Sequence, residues 1–119
     1  MQNMVLVAVF LLLFTPSTAS YKAPEPVKRS VDELISHYAE KYQVSEKVLH
    51  NVIKCESQYK EKAIGDGGRS FGIVQIFLPA HPSVSKVSAL DPDFAIDFLA
   101  KNLSEGRGRL WTCWRKLYS

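Results

Sequence analysis

The chain has 119 residues, with 15 Lys and Arg against 12 Asp and Glu and a net charge of +3. That length holds one domain. The charge is mild and no dense Lys/Arg run occurs, which excludes the usual footprint of a nucleic-acid binder and leaves room for attraction to an anionic polymer.

The first element is an apolar run, Val5 to Phe14. It is too short to cross about 30 Å of hydrocarbon as a helix. The small residues Ser17, Thr18, Ala19 and Ser20 follow, which suits a cleavage site. Residues 1–20 are therefore expected to be a signal peptide, cut after Ala19 or Ser20, although no Lys or Arg precedes the run. An uncleaved anchor is the alternative. Export implies a secreted or periplasmic protein that has no membrane attachment once the leader is gone. Residues 21–29 hold Pro24 and Pro26 among charges and read as an extended linker. A domain over 30–119 remains.

Helix signals begin at Ser30, whose spacing to Glu33 fits a capping box. Val31, Leu34, Ile35, Tyr38 and Tyr42 then recur at helical period. Ser45 starts a second helix, with Val48, Leu49, Val52, Ile53 and Glu56 on one face. Glu56 thus emerges beside apolar neighbours one turn back. Burial penalises an ionised carboxylate and raises its pKa; a carboxylic acid still protonated near neutrality can give its proton to a leaving oxygen. A surface carboxylate at a helix end is the competing reading.

Residues 57–69 read as a loop ending in Gly65-Asp66-Gly67-Gly68. Ser70 to Phe77 is expected to form a short hairpin or irregular strand. Pro79 and Pro82 place His81 in a further loop. Asp91-Pro92 makes an N-cap followed by proline at the first helical position, and that helix runs to Gly106. Leu110 to Leu117 forms a short final helix. The fold class expected is α+β, mostly α-helical, with a small irregular β-hairpin region.

The two cysteines, Cys55 and Cys113, lie 58 positions apart. In an oxidising compartment they would pair, and the chain-entropy account gives such a loop roughly 4 kcal/mol. Two buried free thiols are the alternative. The bridge would tie the helix of Glu56 to the C-terminal segment, where Trp111 and Trp114 flank Cys113 and read as core packing. Tyr59 also reads as a packing residue. His37, His50 and His81 lack the spacing of metal ligands, so no metal or other cofactor is expected.

Glu56-Ser57-Gln58-Tyr59, Ala63, Gly65-Asp66 and Ser70-Phe71-Gly72-Ile73-Val74-Gln75-Ile76 resemble the lysozyme-like domain of lytic transglycosylases and goose-type lysozymes. The resemblance is clearest over 48–78 and extends more weakly to Trp111 and Trp114. It implies a lysozyme-like fold, with Glu56 as general acid and Ser70, Gly72, Gln75 and Asp66 around the sugar; a turn residue without a ligand is the rival reading of Ser70, and a side chain that satisfies backbone groups the rival reading of Gln75. Gly72 would let the backbone approach the substrate. Ile73 replaces the usual leucine, and no Ala-Tyr-Asn-type third motif is found at Lys101-Asn102-Leu103.

Glycosidases with two carboxylates hold them about 5 Å apart for retention or about 6.5–9.5 Å apart for inversion. Where C-type lysozymes keep an aspartate before the second motif, this chain has Ser70. Asp66 is the nearby acidic candidate, and a plain turn former is its rival reading. The expected activity is therefore cleavage of the β-1,4 bond between N-acetylmuramic acid and N-acetylglucosamine in peptidoglycan by a single acid/base, the lytic transglycosylase type. A hydrolytic lysozyme using Asp66 or a bound water is the alternative, and a non-catalytic glycan-binding module the third. Peptidoglycan strands are the expected partner of a monomer.

Overall fold

The computed structural model describes residues 22–119. The leader assigned to 1–20 lies outside the described residues. Residues 22–29 carry no regular element and are exposed.

Helix α1 spans Val31–Tyr42. Its N-cap Ser30 accepts from the Glu33 N–H at 3.2 Å and donates its hydroxyl to Glu33 Oε1 at 3.0 Å. The Ser–Glu pair thus works side chain to side chain as well as side chain to backbone, and satisfies one orphan donor of the first turn. Helix α2 spans Glu46–Ser57, capped by Ser45, which accepts from the Val48 N–H at 3.2 Å. Both helices stop at a left-handed glutamine, Gln43 and Gln58.

Three two-residue strands follow: β1 (Ile64–Gly65), β2 (Ser70–Phe71) and β3 (Ile76–Phe77). They form an antiparallel sheet in the order β1-β2-β3, with Ser70 opposite both Gly65 and Phe77. The expected loop over 57–69 therefore contains a strand. Two residues alternate too briefly to leave a periodic signal, and β1 takes its identity from pairing with β2. A 3-10 turn occupies Leu78–Ala80, and the four-residue helix α3 covers Lys86–Ala89, where the sequence offered only a loop. Helix α4 spans Pro92–Ser104; Asp91 accepts from the Asp93 N–H at 3.1 Å, and Pro92 fills the first position. The single C-terminal helix expected over 110–117 is a 3-10 turn at Gly108–Leu110 followed by α5, Thr112–Tyr118.

The core is one cluster. Leu34 and Ile35 of α1, Leu49, Val52 and Ile53 of α2, and Ala95, Ile96 and Leu99 of α4 close on Phe71 and Ile76 of the sheet and on Ile73 and Val74 of the turn between β2 and β3. The fold is α+β and mostly helical. At the seam of α1 and α4, the Tyr38 and Tyr42 hydroxyls donate to Asp93 and Asp97. The hydrogen bond to Asp97 lifts the Tyr42 hydroxyl to about 12.

Two ties bring the C-terminal segment onto this core. Cys55 and Cys113 form a disulfide. Trp111 is buried, and its indole Nε1–H donates to the Val74 carbonyl at 2.9 Å. Trp111 thus packs as expected, whereas Trp114 is only partly buried. Replacing Trp111 by Phe keeps most of the ring but leaves the Val74 carbonyl without its donor. An unsatisfied buried acceptor costs about 1–3 kcal/mol. A loss of that size in urea unfolding, with the slope unchanged, is the expected result for Trp111→Phe; an unaltered midpoint would show that the bond contributes nothing.

Candidate active site

Glu56 occupies the last turn of α2, one turn on from the buried pair Val52 and Ile53. It is half-buried. Its Oε2 accepts a hydrogen bond from the Cys113 backbone N–H at 3.1 Å. Burial pushes its pKa up. The Cys113 N–H opposes that, the Asp66 charge adds to it, and the Arg115 guanidinium counters weakly. Burial is the largest of these, so the acid holds its proton above the usual carboxylate range.

Asp66 and Arg115 both line a cleft of about 490 Å³. One wall comes from the sheet through Asp66, Arg69 and Phe77, and the other from the C-terminal segment through Leu110, Thr112 and Arg115. Arg69 is set by a bond from its Nε–H to the Asp66 carbonyl at 3.2 Å and lies over the Phe77 ring. Arg115 is set by Thr112 Oγ1 at 3.1 Å and by the Arg109 carbonyl. Ala80 and Leu110 are shared with a second cavity of about 400 Å³ that continues past His81, Phe98, Lys101 and Arg107. Adjacent cavities with common walls suit a polymer better than a compact small molecule. A separate depression of about 800 Å³ lies beside Asn51, Lys54, Cys55, Tyr59 and Leu117; its lining has no carboxylate.

The residues of the second motif sit deeper than the sequence implied. Ser70 is 1% exposed, and its hydroxyl donates to Asp66 Oδ2. Gln75 gives its Nε2 hydrogens to the carbonyls of Ala63 at 3.1 Å and Gly72 at 3.0 Å. Gly72 has φ +86°, and a Cβ there would stand 1.9 Å from the Ala89 carbonyl oxygen. On the side where a Cβ would stand, the close approach that this glycine permits is to the backbone of α3, a helix the sequence did not signal.

Ser57 is a residue of the first motif to which the sequence assigns no chemistry. It is buried, and its hydroxyl donates to the Ile73 carbonyl at 2.6 Å, with the Ile53 carbonyl at 3.2 Å. It thereby locks the end of α2 to the turn after β2. Tyr59, expected to pack, is 37% exposed and its hydroxyl lies 3.2 Å from His50 Nδ1. Backbone conformation marks the same region. Among the described residues, five non-glycine residues have positive φ, and four of them are Gln58, Tyr59, Asp66 and Gln75. Such conformations are costly, and they cluster where a site over-determines its surroundings. That clue lies in the backbone and has no residue-type signature.

A mostly helical domain with a small sheet, a half-buried glutamate at a helix end and a lined groove define a lysozyme-like protein. The Transglycosylase SLT domain family matches residues 33–115, and the chain belongs to that family. Membership supports peptidoglycan lytic transglycosylase-type activity in general, and proteins of this family act on the wall in extracytoplasmic space. The disulfide fits such a compartment. Among the described residues, no helix is long and apolar enough to cross a membrane. No solved structure matches the chain significantly.

The raised pKa of Glu56 has a consequence for stability. The native state binds this proton more tightly than the unfolded chain, whose value is near 4.5. Stability from this group is therefore lost as pH rises from that value through the native one. Glu56→Gln removes the buried charge, so the variant should melt above the wild type at pH 7, with the gap narrowing towards pH 4. Thermal unfolding by circular dichroism at the two pH values checks this; an identical gap at both would contradict it.

Proposed function

We propose that Glu56 is the single acid/base of a lytic transglycosylase that cuts the β-1,4 bond between N-acetylmuramic acid and N-acetylglucosamine. The observation that carries the reading is the half-burial of Glu56 at the end of a core helix, with a pKa raised chiefly by desolvation and within reach of the Asp66 and Arg115 charges that line the groove. Glu56 protonates the bridging oxygen as the C1–O4 bond breaks. The substrate's own 2-acetamido group stabilises the oxocarbenium-like centre. The Glu56 carboxylate then takes the proton of the sugar's 6-hydroxyl as O6 bonds to C1, and a 1,6-anhydro end forms without water. One group serves as acid and then as base, which requires a pKa near the working pH.

In this reading Asp66, on the groove wall just ahead of the second motif, is the residue that meets sugar. Ser70 fixes Asp66, while Gln75 and Gly72 hold the turn behind it. Export directed by residues 1–20, a linker over 21–29, an enzyme domain over 30–119 and action as a monomer complete the proposal. The groove and its basic side chains suit glycan strands bearing acidic groups.

Asp66 supports one rival. Its charge reaches Glu56, and its Oδ2 is held by Ser70, so it could serve a hydrolytic lysozyme as the second carboxylate. Product mass separates the two on purified peptidoglycan. Anhydro ends, one water lighter, mean transglycosylation, and reducing ends mean hydrolysis. Glu56→Gln should lower product release about 10²–10⁴-fold while the protein stays folded. Turnover close to wild type in that variant would remove the mechanism.

A further inference from the structure

The disulfide and the acid share one short circuit. Cys55 immediately precedes Glu56 in α2, and it is bonded to Cys113. Cys113 in turn donates its backbone N–H to Glu56 Oε2 at 3.1 Å, across 57 positions of sequence. The bridge thus joins the neighbour of the acid to the residue that grips the acid. An N–H pointed at Oε2 also biases which oxygen is protonated. In a neutral carboxyl the carbonyl oxygen is the better acceptor, so a bond to Oε2 favours the proton on Oε1. Without that N–H, both oxygens could carry the proton and the carboxyl could turn.

We propose that Cys113 is a positioning residue for catalysis and that its bridge to Cys55 keeps its N–H on Oε2, so that the transferable proton is presented from Oε1. The inference rests on Glu56 being the acid. Three further influences reach Glu56. Burial and the Asp66 carboxylate of the β1–β2 turn raise its pKa, and Arg115 of α5 lowers it. Of the two groups that favour the ionised form, the Cys113 N–H is the stronger. Its loss leaves the raising influences opposed by Arg115 alone, so Glu56 should keep its proton to higher pH. A bridge that merely stabilised the fold would lower activity without moving that titration.

Two full-chain variants separate bridge from N–H. Cys55→Ala/Cys113→Ala removes the bridge and keeps the N–H. Cys55→Ala/Cys113→Pro removes both, at a first-turn position where proline costs no helical hydrogen bond. Glu56 is followed by carbon-13 NMR titration of its side-chain carboxyl, and turnover by product release from purified peptidoglycan across pH. In the proline variant the Glu56 titration and the alkaline limb of the rate profile should both move to higher pH. Turnover should fall on the order of tenfold or more, as expected for a misplaced acid. The alanine pair should lie between this variant and wild type. A folded proline variant that titrates and turns over as wild type overturns the inference, even where Glu56→Gln is inactive. A titration that moves with turnover unchanged overturns it together with the role of Glu56. If the proline variant does not fold, the dithiothreitol-reduced wild type replaces it, and an unmoved Glu56 titration there overturns the inference equally.

Discussion

The hydrogen bond from the Cys113 N–H to Glu56 is the contact on which the rest of the site depends. It joins the end of the second helix to the last segment of the chain, and it does so at a carboxylate whose charge is disfavoured by burial. Burial alone would leave a reluctant acid with no fixed direction. A single N–H supplies the direction while taking back part of the pKa shift. The disulfide one residue away makes this arrangement persistent, because α5 is only seven residues long, and a helix so short is marginal without tertiary support.

Around that contact the structure invests in bracing. Ser57 holds the turn after β2 through Ile73, Trp111 holds it through Val74, and Gln75 holds both Ala63 and Gly72. Three polar side chains from three parts of the chain thus satisfy backbone carbonyls around one turn. A turn built from two-residue strands lacks the ladder that would fix it otherwise. The polar side chains of Ser70 and Gln75 are therefore turned to neighbouring protein groups, while Asp66, which Ser70 holds, lines the groove. The sequence could show that Ser70, Gly72 and Gln75 recur at a telling spacing. It could not show that their polar atoms are turned inward, since that depends on which carbonyls the fold leaves unpaired.

Legibility followed the length of each signal. The helices starting at Ser30, Ser45 and Asp91 were readable because each has a cap and a long apolar period, and each cap is made. Strand β1 and helix α3 were not readable, because two and four residues carry too little periodicity. Gly72 shows the consequence: without α3 nothing in the sequence explains the need for glycine against the Ala89 carbonyl, which stands where a side chain would be. Asp66 and Glu56 were singled out as chemistry, and the walls of the groove, Thr112 and Arg115 above all, were not. Those two residues sit in a segment whose only sequence marks were Cys113 and the tryptophans.

By itself the sequence determined the three long helices, the class of fold, the two cysteines that an oxidising compartment would allow to pair, and the glutamate at the edge of a buried face. All of these rest on local periodicity, capping and residue type, which a linear chain states directly. Only the tertiary structure decided what Glu56 touches, which oxygen of it is held, and which charges reach it. Those depend on α5 and the β1–β2 turn arriving from distant parts of the chain to stand beside one carboxyl group, and proximity of that kind is set by packing and not by order along the sequence.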